Sequence, residues 1–135
     1  MPKIIALDYG SKRTGIAATD DLQIIASGLT TVETPKLFDF LKDYFAQNDV
    51  EAIVLGEPKR LDGSDTHSTE AVNKLKEKLG TTFGKPIHMV DERFTSKMAV
   101  QTMIDSGLKK KQRRNKALID EISATLILQS YLETK

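Results

Sequence analysis

Lys3-Ile4-Ile5-Ala6-Leu7-Asp8-Tyr9-Gly10-Ser11-Lys12-Arg13-Thr14-Gly15-Ile16-Ala17-Ala18-Thr19 is the stretch whose reading decides the fold. Ile4 to Leu7 form a short, uninterrupted apolar run, the pattern of a strand buried on both faces. Gly10 and Gly15 bracket a tight turn, and Gly15 to Thr19 return as a second strand. Asp8 stands where the buried strand ends. Working outward, residues 23–33 carry Ile24, Ile25, Thr30, Thr31 and Val32 and read as a third strand. Pro35 suits the first turn of a helix, and Leu37, Phe38, Leu41, Tyr44 and Phe45 follow at helical spacing. Ala52 to Leu55 make a fourth strand, closed by Gly56-Glu57-Pro58. After the Asp62-Gly63 turn, residues 66–79 predict a helix with Ala71, Val72, Leu75 and Leu79 on one face. Pro86 to Val90 are the fifth strand. Thr95 or Ser96 caps a further helix that Gly107 ends, and Ala117 to Leu132 predict a packed final helix. Three strands in succession, then alternating helix and strand, describe a mixed sheet with helices on its faces.

Composition narrows the class. A length of 135 residues predicts one domain, residues 1–135. The absence of cysteine excludes thiol nucleophiles, cysteine zinc sites and redox motifs. Hydrophobic residues at 39% and charged residues at 29% are the mixture of a soluble globular chain. No apolar run approaches the roughly 20 residues of a membrane span. Only four apolar residues separate Met1-Pro2-Lys3 from Asp8, too few for a signal peptide, so the expected location is the cytoplasm.

The net charge of +1 hides an asymmetry. Lys109, Lys110, Lys111, Arg113, Arg114 and Lys116 supply six of the 20 basic residues within one segment free of acids. The remainder holds 14 basic and 19 acidic residues, a balance of −5. An acidic body with one basic segment fits a polyanionic partner met at a defined place, although a solvated loop would have the same composition.

Three groups of carboxylates sit where burial is costly. Asp8 ends the first strand, Asp91-Glu92 end the fifth, and Asp120 is in register with Ala117, Ala124, Ile127 and Tyr131 of the last helix. Each has a local explanation as a turn or helix-start residue. Together they are placed to converge at the carboxyl ends of the strands. Clustered carboxylates repel unless a cation joins them, and an all-oxygen site favours Mg²⁺ or Mn²⁺ over zinc. His67 and His88 lack zinc-ligand spacing, and no serine-nucleophile, Walker A or dinucleotide fingerprint is present.

Four segments taken in order resemble the YqgF family, also called RuvX. They are Ala6 to Ala17, then Gly56-Glu57-Pro58 with Asp62-Gly63-Ser64, then Asp91-Glu92-Arg93-Phe94-Thr95, and finally Ile119-Asp120 ahead of Ile127 to Leu132. The family's members are regarded as pre-16S rRNA nucleases related to RuvC Holliday-junction resolvases. The resemblance implies an α/β, ribonuclease-H-like fold, with a five-stranded mixed sheet flanked by helices. It also implies that Asp8, Glu92 and Asp120 are catalytic and hold Mg²⁺ or Mn²⁺, with Asp91 as second choice because strand neighbours face opposite sides. Two departures from the family pattern are Glu57, usually apolar and here either a fourth ligand or a surface substitution, and Ser123, usually alanine.

The implied chemistry is hydrolysis of a phosphodiester bond, leaving 5′-phosphate and 3′-hydroxyl ends. Lys12, Arg13 and Arg93 adjoin the acids and would neutralise the substrate phosphate; Lys59 and Arg60 are weaker candidates. Lys109, Lys110, Lys111, Arg113, Arg114 and Lys116 would track the nucleic-acid backbone. Tyr9 and Phe94 are candidates for contact with a base or sugar. The expected partners are RNA ahead of structured DNA and a ribosomal precursor particle, with no membrane, for a monomer or homodimer. The rival readings are a junction resolvase, a non-catalytic RNA- or ribosome-binding factor, and an actin-like kinase, which would need a second lobe.

Overall fold

The computed structural model describes residues 2–10, 12–20, 22–23, 25–57, 67–91 and 116–134. Five strands form one sheet: β1 (Lys3–Tyr9), β2 (Arg13–Thr19), β3 (Ala26–Glu33), β4 (Val50–Glu57) and β5 (Ile87–Asp91). A short 3-10 turn, Thr34–Lys36, leads into α1 (Leu37–Gln47); α2 (His67–Phe83) joins β4 to β5, and α3 (Lys116–Thr134) follows later. The predicted helix after Thr95 lies outside the described residues.

The spatial order is β3-β2-β1-β4-β5. β1 pairs antiparallel with β2, and β2 with β3, while β4 and β5 run parallel to β1. The apolar run Ile4 to Leu7 therefore lies in the central strand. Ile4, Ile5, Ala6 and Leu7 are all fully buried, as expected of a strand covered on both faces.

Alternation along that strand divides the interior into two layers. Ile5 and Leu7 pack with Leu37 and Leu41 of α1 and with Val72, Leu75 and Leu79 of α2. The aromatic side chains close this layer: Phe83 stacks on Phe38 at 5.9 Å and meets Phe45 edge-on at 4.9 Å. Ile4 and Ala6 pack on the other face with Ala17, Val54 and Ala124, Ile127 and Leu128 of α3. Small residues on β1 and β2 let α3 sit close to the sheet. Where strand β1 begins, the buried Thr19 hydroxyl accepts the Ile4 N–H at 2.8 Å.

Three expectations need correction. The third strand begins at Ala26: Gln23 has φ 59°, and the Ile25 N–H is held at 3.1 Å by the Asp20 carboxylate in a turn. Ala71 is exposed, while Val72, Leu75 and Leu79 form the buried face of α2. The turn after Gly10 is shorter than expected: β2 begins at Arg13, so Gly15, expected to open the second strand, lies inside it, paired with Asp8. No helix among the described residues is long and apolar enough to cross a membrane.

Candidate active site

The carboxyl ends of β1, β4 and β5 lie side by side, because Leu7 pairs with Leu55, and Gly56 and Glu57 pair with Val90 and Asp91. Asp8 comes one residue after Leu7 in β1, on the face that Ile4 and Ala6 present to α3. Its antiparallel partner is Gly15. Cross-strand partners share a face, so the absent side chain of Gly15 leaves a gap beside Asp8.

The backbone of α3 fills that gap. A Cβ built on Gly15 would lie 2.0 Å from the Asp120 carbonyl oxygen and 2.3 Å from its carbonyl carbon. No residue other than glycine leaves room for this approach. The seat brings Asp120 of α3 over the same part of the sheet as Asp8 of β1. The Asp120 backbone thus lies against the strand partner of Asp8, and both acids are half-buried.

Asp120 lies beyond the first turn of α3, which carries no acidic residue, so a helix-start role does not account for it. Its partner is Arg13, whose Nε donates to Oδ2 at 3.0 Å. Arg13 was expected at the substrate phosphate; in the structure it sits on a carboxylate. Lys12, in the preceding turn, is exposed.

Thr34 ties down the turn that carries Lys12. Its N–H donates to the Lys12 carbonyl at 3.0 Å, and its hydroxyl donates to the Gly10 carbonyl at 2.5 Å. The buried Thr14 hydroxyl lies 3.1 Å from the Thr34 hydroxyl, completing a short chain of polar contacts. Sequence reasoning missed Thr34, because its partners are 20 and more residues away and no local motif announces them.

Tyr9 faces the other way from Asp8 and packs against the α1 and α2 layer. It borders a cleft of about 380 Å³ with Phe38, Lys74 and Lys78, on the opposite side of the sheet from the carboxylates. Asp91 pairs with Glu57 at the sheet's end, and the side chains of both are outside the description. Glu92, Arg93, Phe94, Lys59, Arg60, Lys109, Lys110, Lys111, Arg113 and Arg114 lie outside the described residues. Lys116 begins α3, and its side chain is likewise outside. Among the described residues no group of three or more metal-ligating side chains forms; Asp8 and Asp120 supply two.

The donor chemistry suits a hard divalent cation. Asp8 and Asp120 both offer carboxylates, which match the oxygen preference of Mg²⁺ and Mn²⁺. The Arg13 guanidinium already stands against the Asp120 carboxylate.

Comparison with known proteins agrees with this architecture. The chain resembles Thermus thermophilus RuvC, solved with a Holliday-junction substrate, at a TM-score of 0.56 and 18% identity, covering 99% of this chain and 96% of that one. The fowlpox virus Holliday-junction resolvase matches with a TM-score of 0.55 at 13% identity, over 98% of this chain and 99% of that one. These resemblances speak for the fold alone, which is ribonuclease-H-like. Sequence relatives are much nearer. A protein of Flavobacterium johnsoniae provisionally named a pre-16S rRNA nuclease is 59% identical over 100% of this chain and 99% of its own length. A Phocaeicola vulgatus protein of the same name is 53% identical over 100% of this chain and 98% of its own. Residues 2–134 match the family described as RuvX, Holliday junction resolvase, and on that full-length match the chain belongs to the RuvX family.

Proposed function

We propose that this chain is a divalent-metal-dependent endonuclease that matures the 5′ end of pre-16S rRNA during ribosome assembly in the cytoplasm. One observation carries the reading: Gly15 admits the α3 backbone, so Asp8 and Asp120 share one face at the carboxyl edge of the sheet. Two carboxylates brought to one face favour a cation beside them, and at Asp120 the Arg13 guanidinium already supplies one.

Glu92 is the proposed third ligand. Val90 packs on the α3 layer and the His88 ring meets Tyr131 of α3 at 5.0 Å, so even-numbered positions of β5 serve that face. The period of two in a strand favours Glu92 over Asp91 for the same side. Between β1 and β5 stands Gly56, which brings no side chain to the gap.

Asp8, Glu92 and Asp120 would hold one or two Mg²⁺ or Mn²⁺ ions, which when bound lower the pKa of a water and stabilise the leaving 3′-oxygen. The chain's own residues do the rest. Lys12 meets the phosphate from the exposed turn that Thr34 fixes, and Arg93 does so from beside Glu92. Lys109, Lys110, Lys111, Arg113, Arg114 and Lys116 hold the flanking backbone, which adds affinity and salt dependence without sequence choice.

RNA is favoured over junction DNA because the relatives carrying the rRNA name are 51–59% identical over nearly their whole length, whereas the resolvase structures share 13–18%. The test is cleavage of end-labelled 16S precursor leader beside a four-way DNA junction, each with Mg²⁺, Mn²⁺ or EDTA. Metal-dependent cutting of the leader that Asp8→Asn abolishes is the expected result. Cutting of the junction alone would make the protein a resolvase; binding without cutting of either would make it a non-catalytic RNA-binding factor.

A further inference from the structure

The ion pair between Arg13 and Asp120 joins a residue expected on the substrate to one expected on the metal. Arg13 lies two residues before Gly15 in β2, on the strand face that α3 covers. The helix is fixed above Gly15 by backbone contact, so the Asp120 carboxylate is delivered to Arg13 by the fold. The side chains are 38% and 25% exposed. A pair this open to water is weak enough to be broken by a stronger competitor. It is also close enough to oppose one: a divalent ion on the same carboxylate oxygen would stand within a few ångströms of the guanidinium.

We propose that Arg13 is the resident counter-ion of the carboxylate site. In the metal-free protein it neutralises the Asp120 carboxylate; on loading it yields Oδ2 and turns its guanidinium to the substrate phosphate. Arginine suits both duties, because it stays charged at any working pH and its planar fork fits carboxylate and phosphate alike. Arg13 is then a positioning residue before metal binds and a phosphate ligand afterwards. This inference rests on the metal-dependent reading above.

The test is Mn²⁺ binding to the full chain without RNA, followed by the paramagnetic resonance of the free ion, for wild type, Arg13→Gln and Arg13→Lys. Arg13→Gln removes the competitor, so it should bind Mn²⁺ about threefold tighter, the size expected of a half-exposed ion pair. It should nevertheless cut RNA more slowly at saturating Mn²⁺. Tighter metal binding with slower cleavage is a combination that general loosening of the fold does not produce. Its melting temperature should fall in EDTA, with the deficit shrinking at saturating Mn²⁺. Arg13→Lys keeps the charge and should restore wild-type Mn²⁺ affinity. Equal or weaker Mn²⁺ binding by Arg13→Gln overturns the counter-ion role. If Asp8→Asn still removes Mn²⁺ binding in that case, the metal site stands without it. Absence of Mn²⁺ binding in the wild type overturns both.

Discussion

Replacing Gly15 with alanine would put a methyl group where the α3 backbone already is. The added carbon falls 2.0 Å from the Asp120 carbonyl oxygen, against ordinary contact beginning at 3.4 Å, a shortfall of about 1.4 Å. The obstacle is main chain, so no side-chain rotation relieves it. Nor can β2 sink away, because Ile16 is fully buried against the opposite layer. Overpacking of a fitted interior costs about 1–3 kcal/mol and occasionally more. Backbone on both sides puts this case near the top of that range. For a domain of this size, about 3 kcal/mol corresponds to a melting temperature lower by roughly 10 °C. The retreat of α3 also carries Asp120 away from Asp8, and misplacement by about 1 Å costs on the order of 100-fold in rate. Thermal melts and leader-RNA cleavage, run well below the variant's melting temperature, measure the two effects separately. Gly28→Ala is the matched control. Its Cβ would meet the Glu121 side chain at 2.6 Å, and that side chain can swing aside, so a change within about 0.5 kcal/mol is expected. A Gly15→Ala protein melting within about 2 °C of wild type, with native cleavage, would refute the claim that this glycine seats the helix.

Further outcomes follow from single contacts. The Ser123 hydroxyl is buried with no hydrogen-bond partner among the described residues; Ser123→Ala should raise stability by about 1 kcal/mol in denaturant melts, and a loss would reveal a partner. Thr34→Val removes the hydroxyl that joins Gly10 and Thr14, so stability should fall by about 1–3 kcal/mol and amide exchange around Lys12 should quicken. Native exchange there would show that the turn is held by other means. Lys12→Gln should weaken leader binding about equally across sequences and reduce the slope of log affinity against log salt by about 1; sequence-selective weakening would contradict a phosphate role.

The sequence made the sheet legible because its central strands are uninterrupted apolar runs, and such runs need cover on both faces. Ile4 to Leu7 and Ala52 to Leu55 leave little choice of place. Errors arose where a partner distant in sequence sets the local structure. Gly15 looks like a turn glycine, since its reason for existing is a helix a hundred residues further on. Ile25 has the β-branched character of a strand, yet Asp20 captures its N–H and ends the pairing. At the site, Asp8 and Asp120 were recognisable as acids at the margin of the core. The grip of Arg13 on Asp120 was not, because a basic residue beside a carboxylate motif reads equally as a substrate contact. Ser123 stood out only as a departure from the family's alanine; that its hydroxyl is buried without a partner among the described residues depends on what α3 covers.

The central claim is that Asp8 and Asp120 face one another in order to share a divalent cation. Crystals of the full chain soaked in Mn²⁺, with anomalous scattering recorded above the manganese edge, test this most directly. The account predicts a peak at about 2.1–2.2 Å from carboxylate oxygens of both residues, with Glu92 completing the site and Arg13 drawn off Oδ2. Saturating Mn²⁺ that leaves this position empty and the pair between Arg13 and Asp120 intact would contradict it.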